Sequence, residues 1–284
     1  MPCPLRPALS PVESTLAPRG RYNLAHGFAM GIKPMTPSPS GAIQPPPQHP
    51  TLREGHVHIW QARLDTDATQ TNHYQTLAPD EQARATRFIF DKHKRRFSVG
   101  RGILRSLLGN YLALPPDQIN FNYTKHGKPY LPPVQNPTDL RFNLSHSGEL
   151  ALFAFTIGRD LGIDIEQIRP DRSTRDIAER FFAPREVDAL FALPDEQHTD
   201  AFFRCWTRKE AYIKAKGAGM AIPLDSFAVS LDPEAPAELL WVKDNPAESA
   251  RWNLTTLSPD PTFAACVATE GQPEEIQFAK VTHC

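Results

Sequence analysis

The segment that most constrains the fold is residues 162–166, Gly-Ile-Asp-Ile-Glu, whose alternating apolar and acidic side chains predict a β-strand. Successive side chains on a strand face opposite sides, so Ile163 and Ile165 would face a core while Asp164 and Glu166 share the other side. The two carboxylates would lie roughly 6.6 Å apart along the strand. They repel each other unless a cation or proton lies between them. A half-buried strand with a solvated polar face would show the same pattern, so both interpretations stay open at this point.

A second run, residues 206–214, reads Trp-Thr-Arg-Lys-Glu-Ala-Tyr-Ile-Lys and predicts part of a helix that begins near Asp200 and ends before Gly217. Trp206, Glu210 and Lys214 are four residues apart and therefore lie near one line along the helix. An exposed Glu210–Lys214 pair would contribute only about 0.2–0.5 kcal/mol and would need no function. A stripe that carries tryptophan usually faces inward, however, and an inward glutamate and lysine need a partner, an ion or a substrate.

Three further segments accompany these two runs. They are Gly-Lys-Pro at residues 127–129, Phe-Asn-Leu-Ser-His-Ser-Gly at 142–148, and Arg-Phe-Phe-Ala-Pro-Arg-Glu at 180–186. The five blocks, in this order, resemble the signature of the 4′-phosphopantetheinyl transferases of the Sfp type. Each block alone is a weak signal, because a motif such as Gly-x-Asp-x-Glu often occurs by chance. Together they indicate the family.

The resemblance implies an α+β fold in which two similar α+β halves form a pseudo-dimer with the site between them. It also implies the activity: the enzyme transfers 4′-phosphopantetheine from coenzyme A to a serine of an apo acyl or peptidyl carrier protein. The products would be the holo-carrier protein and adenosine 3′,5′-bisphosphate. Mg²⁺ is the implied metal ion, for which Mn²⁺ could substitute. Fatty-acid, polyketide and nonribosomal peptide carriers all remain open as partners.

The same resemblance assigns roles to the acids and the lysine. Asp164, Glu166 and Glu210 would be the metal ligands. Glu210 is also the candidate general base for the serine hydroxyl, which is a weak nucleophile without one. Lys214 would contact the diphosphate and stabilise or protonate the leaving phosphate. Whether Glu210 acts as base, as ligand or as both stays open at this stage.

Coenzyme A would be held by basic and polar side chains outside the metal site, in addition to Lys214. Residues 84–101 are rich in arginine and lysine, and arginine suits phosphate because its guanidinium makes bidentate hydrogen bonds. An ordinary solvated helical face would also explain this stretch. By resemblance, the residues that contact coenzyme A are Arg84, Arg87, Arg96, Lys128, Ser145 and His146.

Residues 1–50 differ in kind from the rest, since they hold 12 of the 29 prolines and only five charged residues. This composition predicts a disordered tail. It has no continuous apolar segment of the secretory type, and a transit peptide is an alternative interpretation. The globular part is predicted to consist of an N-terminal half at 55–162 and a C-terminal half at 163–282. The helices are predicted at 80–89, 91–112, 173–182, 184–191 and 200–216, and the strands near 57–62, 119–123, 141–143, 150–156, 161–167, 226–231, 252–258 and 263–269.

Composition excludes several classes of function. The net charge of −1 provides no basic field for nucleic acid. The sequence contains no apolar run of the roughly 18 residues that a membrane span requires. Four cysteines without paired or metal-ligand spacing favour reduced thiols and a cytoplasmic location. An internal duplication would make a monomer sufficient.

Carrier proteins are typically acidic, so the aromatic and basic segment 172–191 is a candidate docking surface, although its phenylalanines could equally be core residues. Two other classes of function remain as alternatives. One is a different Mg²⁺-dependent enzyme that acts on a nucleotide diphosphate. The other is a non-catalytic module that binds coenzyme A or a carrier protein. A transfer assay with an apo carrier separates all three.

Overall fold

The structure is a computed structural model that describes residues 32–34, 50–65, 70–170 and 174–281. Within these residues the helices are α1 (Gln70–Gln75), α2 (Pro79–Ala85), α3 (Asp91–Leu112), α4 (Thr174–Phe181), α5 (Pro184–Phe191) and α6 (His198–Lys216). The strands are β1 (Ile32–Pro34), β2 (His56–Arg63), β3 (Asn122–Tyr123), β4 (Pro129–Tyr130), β5 (Leu140–Ser147), β6 (Leu150–Ile157), β7 (Leu161–Gln167), β8 (Phe227–Val229), β9 (Leu239–Val242), β10 (Trp252–Leu257), β11 (Phe263–Glu270) and β12 (Glu275–Lys280).

Two sheets form the centre of the fold. The larger has the strand order β1-β12-β2-β6-β5, and the smaller has the order β10-β11-β7. One face of the larger sheet packs on α3 through an apolar cluster that includes Leu104 and Phe153. Its other face packs on the smaller sheet through a second cluster that includes Ile59 and Val267. The far face of the smaller sheet packs on α6. The layers therefore run helix, sheet, sheet, helix, which confirms the predicted α+β class.

The alternation in residues 162–166 separates two of these layers. Ile163 and Ile165 are fully buried in the cluster between the sheets, as the period of two predicts. Asp164 faces the opposite side, and it is also fully buried. A solvated polar face is therefore wrong for this strand, because α6 and β5 cover it.

The same arrangement of helices occurs in both halves. A short helix that begins with Ala-Pro-x-Glu is followed by a long helix. The side chain of Glu81 accepts a hydrogen bond from the Ala78 backbone N–H at 3.0 Å and pairs with Arg105 of α3 at 2.6 Å. In the second half Glu186 accepts from the Ala183 N–H at 2.8 Å, and its partner on the long helix is a lysine. In both halves the glutamate caps its own helix and pairs with the long helix, which supports two similar α+β halves.

The structure differs from the predicted elements in several places, since helix α1 and strands β1 and β4 have no predicted counterpart. Residues 275–280, placed by prediction in the C-terminal half, form β12, which lies between β1 and β2 in the larger sheet. Strand β9 was also not predicted, because its four residues show no clear alternation. Helix α2 ends at Ala85, four residues before the predicted end, and two turns follow it. The long helices agree better, since α3 spans the predicted residues and α6 begins two residues early.

The predicted disordered tail lies outside the described residues, apart from residues 32–34 and Pro50. Ile32–Pro34 forms β1, which pairs in parallel with β12 at the edge of the larger sheet. The disorder of the other tail residues stays a prediction. In the part of the chain that the structure describes, no helix combines the length and apolarity needed to cross a membrane.

Candidate active site

Two serines of the block at 142–148 hold the two carboxylates of β7. Strand β5 lies beside β7, and its alternate side chains reach across to it. The Ser145 hydroxyl donates to Asp164 Oδ1 at 2.8 Å, and the Ser147 hydroxyl donates to Glu166 Oε2 at 2.7 Å. Both carboxylates are therefore oriented by hydroxyl groups from the other half of the chain.

A glycine allows α6 to lie directly on β7. A Cβ atom at Gly162 would be 2.2 Å from the carbonyl oxygen of Ala211 and 2.3 Å from the backbone nitrogen of Ala215. Both neighbours are backbone atoms, so no side-chain rotation could relieve the clash. Since Gly162 shares the face of Asp164, this close approach places the carboxylate against the helix.

Substitution of Gly162 by alanine tests this packing. We expect G162A to push α6 away from β7, with a loss of about 1–3 kcal/mol of unfolding free energy and a marked loss of activity. The matched control is G100A, where the added Cβ would lie 3.7 Å from Leu64. Because Gly100 lies inside α3, that change should raise stability slightly, by up to about 1 kcal/mol. Denaturant unfolding measures both, and equal stabilities for the two variants would contradict the close approach.

Asp164 is a buried carboxylate with one paired and one unpaired oxygen. The ammonium of Lys214 donates to its Oδ1 at 2.6 Å and lies 2.8 Å from the Ser145 hydroxyl oxygen. The Asp164 side chain is fully buried, whereas 22% of Lys214 remains exposed. The second oxygen, Asp164 Oδ2, is buried and has no hydrogen-bond partner among the described residues. A buried, unpaired carboxylate oxygen is costly and indicates a missing cationic or protic partner.

Glu210 lies on α6, the helix that packs against β7. Lys214, one turn after Glu210, contacts Asp164. Ile168, two residues beyond Glu166, lines a small cavity together with Thr207 of α6. Strand and helix therefore run in opposite directions in this region. Within the described ranges, no three acidic, histidine or cysteine side chains converge in a preformed metal-binding geometry. Asp164 and Glu166 thus share one face of β7, and the three predicted acids do not form a preformed metal site.

Lys128 has partners that the sequence did not predict. Its ammonium donates to two backbone carbonyl oxygens, that of Leu161 at 3.0 Å and that of Ala215 at 3.1 Å. Burial lowers the pKa of this lysine to about 8, because the charged form loses hydration; Asp160 acts in the opposite direction.

The predicted coenzyme A contacts are spread over the N-terminal half. His146 is exposed on β5, one residue from Ser145 and therefore on the opposite face. Arg84 and Arg87 are exposed near the end of α2. Arg96 is held by Asp65 through two hydrogen bonds, at 2.8 Å and 2.6 Å. Its guanidinium is therefore engaged in an ion pair, a feature that motif matching did not predict.

Sequence reasoning missed Lys209, which precedes Glu210 in the motif. Its side chain is fully buried, and its ammonium contacts both carboxylate oxygens of Glu186, at 2.7 Å and 2.6 Å, and the carbonyl oxygen of Phe227 at 2.7 Å. This pair ties α5 and β8 to the helix that carries Glu210. The sequence signal for this pair is the Ala-Pro-x-Glu that begins both α2 and α5. In each half its glutamate pairs with a basic residue of the long helix.

Two family models together match most of the globular part of the chain. A model of the 4′-phosphopantetheinyl transferase superfamily matches residues 160–268, and a model of the N-terminal region of 4′-phosphopantetheinyl transferases matches residues 60–157. The 4′-phosphopantetheinyl transferase HetI of Nostoc sp. is 46% identical over 228 residues, which cover 80% of this chain and 93% of the relative. This chain belongs to the 4′-phosphopantetheinyl transferase superfamily.

A second relative in the same superfamily is the 4′-phosphopantetheinyl transferase Sfp of Bacillus subtilis. It is 32% identical over 202 residues, which cover 70% of this chain and 86% of the relative. Among solved structures, a Chronobacterium ammoniagenes ACPS–CoA complex is similar at a TM-score of 0.29 and 19% identity, over 39% of this chain and 96% of that chain. The relatives confirm the predicted Sfp-type family and the predicted class of enzyme, a phosphopantetheinyl transferase.

Proposed function

We propose that this transferase moves 4′-phosphopantetheine from coenzyme A to a serine of an apo carrier protein at the site between β5, β7 and α6. The observation that carries the proposal is the state of Asp164. One of its oxygens accepts from Lys214 and Ser145, and the other is buried without a partner among the described residues. A diphosphate and its metal ion would supply the missing partner at this position.

The residues present fit a magnesium ion. Mg²⁺ prefers one or two carboxylates together with phosphate oxygens and water, and Asp164 and Glu166 offer carboxylates on one face of a rigid strand. Glu210 is the third proposed ligand. When bound, the ion would neutralise charge that develops on the phosphate oxygens during transfer. Mg²⁺, unlike Ca²⁺, does not require many protein ligands, so the open arrangement of these acids suits it.

The proposed chemistry forms one bond and breaks one. The serine oxygen of the carrier attacks the β-phosphorus, and the bond from that phosphorus to the oxygen of adenosine 3′,5′-bisphosphate breaks. Glu210 takes the proton of the serine hydroxyl as general base. Lys214 carries a partly exposed ammonium beside Asp164, so it can donate a proton or a hydrogen bond to the leaving phosphate oxygen.

Coenzyme A would lie along the N-terminal half. Ser145 supports this path. It belongs to the N-terminal half, and its hydroxyl contacts both Asp164 and Lys214, so a diphosphate bound there would lie beside that half. His146, Arg84 and Arg87 are exposed and are the other proposed contacts to the phosphates of coenzyme A. Arg96 could join them only by sharing or releasing its ion pair with Asp65, so it is the weakest member of the proposed set.

The carrier would dock on the surface of α4, α5 and β9, which exposes aromatic and arginine side chains. Phe181 is 37% exposed, and the Arg180 guanidinium lies over its ring. Arg185 of α5 lies over the ring of Trp241 on β9. Phe182, in contrast, is buried in the core. The proposed docking surface therefore consists of the exposed members of the predicted segment, among which Arg180 and Arg185 would pair with acidic groups of a carrier.

The test is an incubation of the protein with coenzyme A, Mg²⁺ and an apo carrier protein, followed by mass spectrometry of the carrier. We expect the carrier to gain the mass of one phosphopantetheine group. We also expect EDTA to abolish the gain and added Mg²⁺ or Mn²⁺ to restore it. A panel of fatty-acid, polyketide and peptidyl carriers identifies the partner. An unchanged mass with the whole panel would overturn the transfer function, and full activity in EDTA would overturn the metal site.

A further inference from the structure

The turn that carries Lys128 is rigid. In the β3–β4 hairpin, the Thr124 backbone N–H donates to the Lys128 carbonyl at 2.9 Å, and the Gly127 N–H donates to the Thr124 carbonyl at 2.9 Å. Gly127 has a φ of 84°, which a residue with a side chain rarely adopts. The Lys128 N–H also donates to the Thr124 hydroxyl at 3.1 Å. The root of the Lys128 side chain is therefore held in one place.

From this turn the side chain reaches β7 and α6. Its ammonium meets the carbonyl of Leu161, at the start of β7, and that of Ala215, in the last turn of α6. The stem lies against the helix end, where a Cβ added at Gly217 would be 3.3 Å from Lys128 Cδ. The last carbonyls of a helix lack partners within the helix and carry its negative dipole end, so a cation suits this position.

These two acceptors lie on the two elements that carry the proposed site residues. Leu161 lies three residues before Asp164 on β7, and Ala215 follows Lys214 directly on α6. One ammonium thus bridges the strand that supplies the buried carboxylate and the helix that supplies its partner. The bridge comes from the N-terminal half, which also provides Ser145. It therefore links the packing of the two halves to the distance between Lys214 and Asp164.

The surroundings of the Lys128 ammonium favour a contact within the protein over a contact to a ligand phosphate. Both acceptors are neutral carbonyl groups, and the charges of Asp160 and Arg141 act on the ammonium in opposite directions. The side chain is partly buried, and this burial lowers its pKa to about 8. A residue whose main role was to bind phosphate would instead keep its ammonium exposed toward the ligand.

We propose that Lys128 is a positioning residue that clamps the end of α6 to the start of β7 and so sets the place of Lys214 beside Asp164. The proposal rests on the proposed transfer function for its kinetic consequence. Loss of the ammonium would leave two backbone carbonyls unsatisfied, and the last turn of α6 would loosen. Lys214 would then be displaced from the reacting phosphate while the surface that binds the nucleotide stayed in place.

The experiment compares K128M with K128R and with K125M, an exposed lysine on the same hairpin. We expect K128M to lower kcat by about 10- to 100-fold, because small displacements of a catalytic group have effects of this size. The KM for coenzyme A should stay unchanged. K128R retains donors for both carbonyls and should recover part of the kcat, while K125M should behave like the wild type.

A second measurement does not depend on activity. Hydrogen exchange of the backbone amides at 213–217 should accelerate in K128M and stay unchanged in K125M. A raised KM for coenzyme A with an unchanged kcat would overturn the proposal in favour of a direct ligand contact. Unchanged kcat and unchanged exchange would overturn it as well. If the wild type modifies no carrier, the transfer function fails, and hydrogen exchange still decides whether Lys128 clamps the helix.

Discussion

Replacement of Glu210 by glutamine is expected to lower the transfer rate by at least about 100-fold. A glutamine keeps the shape of the side chain but can neither accept the serine proton nor supply a carboxylate to a metal ion. Both proposed roles of Glu210 therefore fail together. Because Glu210 is only partly buried on α6, the fold should tolerate the change. Transfer to an apo carrier, followed by mass spectrometry, gives the rate.

The control for this variant is E196Q, an exposed glutamate just before α6, which should transfer at the wild-type rate. The thermal unfolding of E210Q should match that of the wild type. The metal dependence then separates the two roles. If Glu210 acts mainly as ligand, excess Mg²⁺ should recover part of the rate, whereas loss of a base cannot be recovered in this way. Wild-type activity of E210Q would remove the residue from both roles.

The second large effect is on stability, at the buried pair of Lys209 and Glu186. K209M is expected to lower the free energy of unfolding by about 3–5 kcal/mol, because it leaves a buried carboxylate without its cation. The Glu186 carboxylate would keep its backbone donors, the N–H groups of Ala183 and Val229, but these do not neutralise its charge. Denaturant unfolding, monitored by tryptophan fluorescence and circular dichroism, measures the loss.

An exposed ion pair of the same chain is the matched control. Arg63 and Glu149 lie 2.8 Å apart, and their side chains are 62% and 42% exposed. R63M should therefore cost no more than about 1 kcal/mol. The double variant K209M/E186Q removes the unpaired charge and should recover part of the stability of K209M. Similar losses for K209M and R63M would show that burial does not strengthen the pair.

The two long helices make similar ion pairs but cover strands of different character. Both long helices pair with the glutamate of an Ala-Pro-x-Glu turn, through Arg105 in one half and Lys209 in the other. On the strand beneath α6, however, the face carries Asp164 and Glu166. The corresponding strand β2 carries Trp60 and Ala62 in the core under α3. The proposed diphosphate site requires charge on such a face, which β7 supplies and β2 does not.

Motif spacing predicted the faces of the proposed site residues better than their environments. The alternation around Asp164 predicted its face, and Lys214 of the second motif contacts it. Arg96 and Lys128 had no such local signal. Each is engaged by a partner from a distant segment, Asp65 in one case and two backbone carbonyls in the other. A single sequence carries no information about such partners, because they depend on how the elements pack.

The sequence by itself determined the local features of this protein. Period-two alternation set the faces of β7, Gly217 in the left-handed conformation ended α6, and the order of five motifs indicated the family. Tertiary structure alone decided that Asp164 is fully buried and that Lys214, 50 residues away, pairs with it. It alone placed Lys128 on Ala215, 87 residues away. Local patterns arise from backbone geometry within a few residues, whereas burial and pairing arise only when the two halves pack and exclude water between them.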